Sequence, residues 1–210
     1  MLNKITGALG QVAEAAGTIV GIRHGTEEPP FTVERRVDNV EIRRYGSRIA
    51  AETTIDADEE PARNEGFRRL ARYIFGGNKS KTKIAMTAPV AQQQSEKIAM
   101  TAPVATQRGA AGQWVVRFFM PSEYTLDTLP TPSDDRVRLV NVPAERVAVL
   151  QFSGLPSPAA VAAHTDQLLA ALRANSIDVE EEPVGWFYDP PWTIPFRRRN
   201  EVAVSLAAAD

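Results

Sequence analysis

Cysteine is absent from the 210 residues, which removes disulfide staples, thiolate metal sites, iron–sulfur clusters and cysteine nucleophiles together. Histidine is almost as scarce. Only His24 and His164 occur, so no multi-histidine metal centre can be assembled. Long apolar runs are missing too: no stretch approaches the roughly 18 residues a membrane-spanning helix needs. The best N-terminal candidate, 15–22, is cut short by Glu14 and Arg23 and lacks the apolar centre of a cleaved signal peptide. The expectation is a cytoplasmic protein without a membrane span. Excess charge of one sign is also lacking. At a formal net charge of −2, whole-molecule attraction to nucleic acid is not expected.

What remains is an ordinary soluble composition, 43% hydrophobic and 24% charged, at a length that suits one domain or two fused half-domains sharing a core. Leu2, Ile5, Leu9, Val12, Ala16 and Ile19 alternate at three- and four-residue steps, which predicts an amphipathic helix over the first 21 residues. Its few charges leave it as an appendage packed on its own domain or an arm for a membrane surface or partner. Pro29 and Pro30 then impose a linker, dividing the chain into residues 1–28, helix and linker, and 29–210, the main domain.

Strand-like runs follow at 31–37, 40–45 and 48–54. Asp38-Asn39 and Gly46-Ser47 stand between them at hairpin spacing. Residues 58–75 read as a helix whose buried face is Ala62, Gly66, Phe67, Leu70, Ala71, Ile74 and Phe75, ended by Gly76-Gly77. Next, Lys83-Ile84-Ala85-Met86-Thr87-Ala88-Pro89-Val90-Ala91 recurs verbatim at 97–105. These read as two extended segments joined by the polar residues 92–96, with the prolines consigned to an edge or bulge. The second half echoes the first: strands at 114–120, 137–142 and 147–152, a helix at 157–174 with Ser157 as N-cap and Pro158 at the first helical position, and strands at 184–188 and 201–206. Strands, helix, strands, repeated twice, predict an α+β fold of antiparallel sheets with one helix per half.

Four ordered blocks carry a resemblance: Val40-Glu41-Ile42-Arg43-Arg44-Tyr45, then 73–78, the repeated Lys83-to-Val90 phrase, and Tyr188-Asp189-Pro190-Pro191 followed by Arg198-Arg199-Asn200-Glu201-Val202. Together they resemble the SOUL haem-binding family over roughly residues 29–206. The resemblance implies two pseudo-symmetric halves forming a distorted barrel, similar to the effector-binding domains of multidrug-responsive regulators. It also implies binding of haem or another tetrapyrrole without one obligatory axial ligand.

Carried over by the resemblance, the porphyrin belongs to the first long helix and the loop around the Tyr-Asp-Pro-Pro motif. The helix offers Arg68, Arg69, Arg72, Tyr73 and Phe75, and the loop offers Trp192, Phe196 and Arg197. Guanidinium groups suit carboxylates and aromatic faces suit a flat macrocycle. The same residues also read as a solvated helix face and as core packing between prolines. Tyr73 and Thr193 stand where some relatives carry basic residues. Arg44 stands where some carry a histidine proposed to ligate iron, and arginine, always protonated, cannot do so. His164 reads as a structural histidine on the second helix, His24 as part of the N-terminal connection, and Met86 and Met100 as core fillers rather than ligands.

Two functions compete. One is a haem or tetrapyrrole carrier or buffer, without a strong histidine axial ligand. The other is a small-molecule hydrolase using a cleft of this fold, with Glu41, Glu52, Glu201, Tyr45 and Tyr188 as acid–base groups. No G-x-S-x-G elbow or metal-ligand cluster supports the second. A third reading, a ligand sensor, lacks a DNA-binding segment within the chain.

Overall fold

A computed structural model describes residues 26–80, 95–109, 112–190 and 192–207. The helix expected over 1–21 and the first copy of the repeat lie outside the described residues. No helix among the described residues is long and apolar enough to cross a membrane.

Among the described residues, eleven strands and two long helices alternate as expected for an α+β chain. The order is β1 (Phe31–Val37), β2 (Val40–Tyr45), β3 (Arg48–Ile55), α1 (Glu59–Ile74), β4 (Asn78–Lys79), β5 (Val104–Arg108), β6 (Trp114–Phe119), β7 (Thr131–Pro132), β8 (Arg138–Val142), β9 (Glu145–Phe152), α2 (Pro158–Ala174), β10 (Val184–Phe187) and β11 (Asn200–Ser205). Nine strands form one antiparallel sheet in the order β1-β2-β9-β11-β10-β5-β6-β3-β8, and β4 pairs β7 in a small separate ribbon.

The sheet curls, and two short links show why. β2 and β3 are separated only by Gly46-Ser47, yet they lie six places apart in the sheet; β8 and β9, separated by Pro143-Ala144, do the same. Both links therefore join opposite ends of the sheet, which must bend toward each other to form a half-barrel. The expected β2–β3 hairpin is thus corrected. β2 pairs β1 and β9 instead. A two-residue hairpin needs positive φ, which Asp38 supplies between β1 and β2 (φ 53) and Gly46 does not supply between β2 and β3.

Strand alternation sorts the side chains into two faces. On one face, Val40, Ile42, Leu150, Val202 and Val204 pack under Leu168 and Leu172 of α2, while Ala51, Val116 and Phe118 pack under Leu70, Tyr73 and Ile74 of α1. On the other face, Tyr45, Ala50, Phe119, Val147, Trp186 and Tyr188 from both halves form one shared core, with Tyr45 set edge-on to Trp186 at 5.6 Å.

The outer strands, β1 and β8, carry charge: Glu34, Arg35 and Arg36 on β1, Arg138 on β8. A register shift interrupts the β1 ladder between Val33 and Arg35.

Ser157 caps α2 as predicted, its Oγ accepting from the Ala160 N–H at 3.3 Å. The buried face of α1 needs revision at Phe67, which is 38% exposed, and at its C-terminal end. Tyr73 is inside at 2% exposure, whereas Phe75 is 58% exposed, because Phe75 is the C-cap residue where the chain turns away through Gly76 at φ 113. The second repeat copy also departs from expectation. It leads into β5, an interior strand between β10 and β6, and Pro103 avoids breaking the ladder by standing just before the strand rather than within it.

Candidate functional site

Helix α1 sits tightly on the sheet because of one glycine. A Cβ at Gly66 would lie 2.5 Å from Cγ2 of Val116 on β6, so only glycine permits this approach. With Ala62, Leu70 and Ile74 also buried, the 3.6-residue period turns Arg68 and Arg72 outward and places Arg69 at the helix edge. Acidic Glu59 and Glu60 in the first turn and Arg72 in the last complement the helix dipole.

The arginines differ in what they already hold. Arg63 donates to the Pro156 carbonyl at 3.0 Å and lies over the Phe187 ring. Arg68 pairs with Glu65 at 3.2 Å. Arg69 donates to Thr53 Oγ1 at 2.8 Å and to Glu65 at 3.3 Å, while its buried Nε has no partner. Arg72 is exposed, and no hydrogen bond or ion pair from its guanidinium occurs among the described residues. Tyr73, the fourth candidate on this helix, donates its hydroxyl to the Pro130 carbonyl at 2.9 Å, and burial pushes its phenol above the ordinary range. Arg69, Arg72 and Tyr73 line a cavity of about 480 Å³, closed opposite by Ser133, Asp134 and Arg136. Arg136 is already forked onto Asp134 at 2.8 and 2.9 Å and holds that carboxyl down to about 2.

The loop candidates form a second cluster. Trp192 and Phe196 are 64% and 71% exposed, with Leu155 nearby at 59%. The loop is pinned underneath by Arg198 donating to the Thr193 carbonyl at 2.8 Å and by the Gly154 N–H donating to the Pro195 carbonyl at 2.9 Å. Phe196 and Arg197 occupy a 3₁₀ turn, Pro195–Arg197. None of the three loop residues lines the cavity that holds Arg69, Arg72 and Tyr73. Arg63, which the sequence reading did not single out, ties the first half of the helix to Pro156 and to Phe187 of β10.

Sequence reasoning also missed a buried charge centre on the shared face. Glu201, fully buried, accepts both guanidinium arms of Arg43 at 3.0 and 3.1 Å, two nitrogens of Arg199 at 2.9 and 3.0 Å, and the Tyr188 hydroxyl at 2.6 Å. Arg43 continues to Glu41 at 2.8 Å and Arg199 to Glu28 at 2.9 Å. Period-two spacing was the available signal: Glu41, Arg43 and Tyr45 share one face of β2, and the Arg199–Glu201 pair meets them across β9 and β11. Glu52 is likewise held by Arg117 and Arg138. Every carboxylate proposed for acid–base work is thus engaged by arginine.

His164 takes no part in either cluster. His24 lies outside the described residues, and His164 stacks on Phe152 at 4.2 Å with Nδ1 against Gln167.

The family model described as SOUL heme-binding protein matches residues 26–97 and 91–205. The chain belongs to the SOUL heme-binding protein family. Relatives within it include heme-binding protein 2 of Mus musculus, 27% identical over 91% of this chain and 94% of that protein, and heme-binding protein 1 of Bos taurus, 27% identical over 75% of this chain and 77% of that protein. The C-terminal domain of EcmrR shares the fold, with a TM-score of 0.58 at 9% identity over 81% of this chain and 98% of that structure. The SOUL architecture of two pseudo-symmetric halves on a curled antiparallel sheet is therefore the one seen here.

Proposed function

We propose that this SOUL protein binds haem or a related tetrapyrrole on the outer surface of α1 and serves as its carrier or buffer. The observation that carries the reading is Arg72. Arg63, Arg68 and Arg69 of the same helix are engaged, whereas Arg72 projects from the surface without an ion-pair partner among the described residues, one turn from the exposed ring of Phe75. A porphyrin propionate suits that guanidinium, and Arg69 lines the same cavity as Arg72. The exposed Phe75 offers a stacking face beside Arg72, and Trp192, Phe196 and Arg197 supply a separate aromatic and cationic cluster, so the chain carries the groups a flat, apolar dianion needs. Among the described residues no histidine stands beside that surface. Engagement of Glu41, Glu52 and Glu201 by arginine favours binding over hydrolysis, since none is left as a free base.

The test is a haemin titration followed by the Soret band. Replacing Arg69 and Arg72 together by Ala weakens binding by about tenfold or more, because charge-assisted bonds contribute on the order of 1.5–3 kcal/mol when well made and less at the surface. Arg173→Ala, in the last turn of α2, leaves affinity unchanged. A porphyrin diester loses less on the double substitution than the free diacid does. Equal, negligible losses for diacid and diester would move the site elsewhere.

A further inference from the structure

The chain carries two verbatim copies of one segment, and among the described residues one groove holds a copy. The second copy fills that groove. Ile98 is buried at 2%, Thr101 at 5%, and Ala102 and Ala105 at 4% each, and Thr101 Oγ1 donates to the Phe119 carbonyl. The groove holds the segment chiefly by its backbone. Asn78 bonds both the N–H and the carbonyl of residue 96, at 2.9 and 2.8 Å, the Ile98 N–H donates to the Ile74 carbonyl at 2.9 Å, and the Ala102 N–H donates to the Glu27 carbonyl at 2.9 Å. Within residues 97–105 each inward side chain has an identical counterpart 14 residues earlier: Ile84, Thr87, Ala88, Val90 and Ala91. The two family matches overlap, and the first contains residues 83–91 while the second contains 97–105.

We propose that the two copies compete for this groove, so that the chain has two folded registers offset by 14 residues. In the second register Ile84 takes the place of Ile98, and Val90 to Gln94 take the place of β5. Thr82 then stands where Glu96 stood. The step is short enough, because the Ser80 hydroxyl already bonds the Glu96 carboxylate at 3.3 Å and one residue separates Ser80 from Thr82. The 14 surplus residues move from before β5 to after it, into the turn now closed by the Gly109 N–H donating to Gln113. A loop of similar length is closed in either register, so closure entropy discriminates little between them. Side chains set the preference. Buried Thr106, at 4%, would be exchanged for the larger Gln92, and the bond from the Tyr124 hydroxyl to Glu96 would be lost. The second copy is therefore the major occupant and the first the reserve.

Two thermal-unfolding comparisons test this. Ile98→Asp puts a carboxylate into the groove from the second copy only. In the full chain a cooperative transition survives at lower Tm; in a chain lacking residues 83–96 the same substitution abolishes it. An equally large Tm loss in both chains would overturn the proposal. Deleting residues 97–110 instead leaves the first copy alone with the turn before β6 at its present length, and that chain folds cooperatively. Its failure to fold would also overturn the proposal. Because the protein has no cysteine, occupancy can be trapped directly. Residue 27 bridges residue 101 in the major register, so in the Ile98→Asp chain a Glu27→Cys/Thr87→Cys pair forms a disulfide. Oxidation of only the Glu27→Cys/Thr101→Cys pair in that chain would count decisively against the exchange.

Discussion

Helices α1 and α2 occupy matching places on the two halves of one sheet, yet they are built from different materials. α2 is mostly alanine and leucine, with Asp166 and Arg173 as its only charged residues. α1 carries Arg63, Arg68, Arg69 and Arg72 along with three glutamates. Both bury an apolar stripe of similar kind, Leu70 and Ile74 in one case and Leu168 and Leu172 in the other. The pseudo-symmetry is therefore a property of the inward faces alone. The outward faces differ, and the arginines have gathered on one side.

Breaking what the halves share has the largest expected effect. Glu201→Ala leaves Arg43 and Arg199 buried without their common partner, and loss of one side of such a site costs roughly 3–5 kcal/mol. Denaturant unfolding reads this as a fall in midpoint, and a change under about 1 kcal/mol would mean water already relieves the arginines. Next come Leu70→Ala and Leu168→Ala, each at a fully buried position and each expected to cost about 2–5 kcal/mol. Because both helices share the sheet, each variant should shift a single transition seen alike by fluorescence and circular dichroism. Separate transitions for the two variants would show two independent halves.

The smallest effect concerns the tyrosines. Burial pushes Tyr45, Tyr73 and Tyr188 above the ordinary phenol range, and Tyr124 is raised as well, by partial burial and its bond to Glu96. The α2 cluster contains none of them. A phenol raised by folding favours the folded state below its unfolded value of about 10, and that contribution is lost as pH rises through the folded value. Alkaline titration at the phenolate absorbance should therefore show almost no ionisation until the pH is well above 10. Four phenolates appearing together near pH 10 in the folded protein would contradict the burial assigned to them.

The elements were legible because their signals are local. Alternation exposed the strands, Ser157-Pro158 announced α2, and Gly76-Gly77 closed α1. Sheet order was not, because Gly46-Ser47 looks the same whether it reverses the chain or carries it across an opened barrel; only the absence of positive φ at Gly46 separates the cases. At the candidate site, residue types could be read but their engagements could not. Arg68, Arg69 and Arg72 look equivalent in a row, and Glu65 and Thr53, reached through the helix turn and from β3, distinguish them. The burial of Glu201 was not legible because one of its two arginines, Arg43, comes from a strand 158 positions away.

The charged outer strands have a consequence for behaviour in crowded solution. A half-barrel that does not close leaves two ribbons of amide groups able to accept a neighbouring molecule's strand. Glu34, Arg35 and Arg36 along one rim, with its interrupted ladder, and Arg138 along the other make such additions costly. Resistance to fibrillar self-association is thus vested in a handful of surface charges and one irregularity, at positions that contribute little to the stability of the folded chain itself.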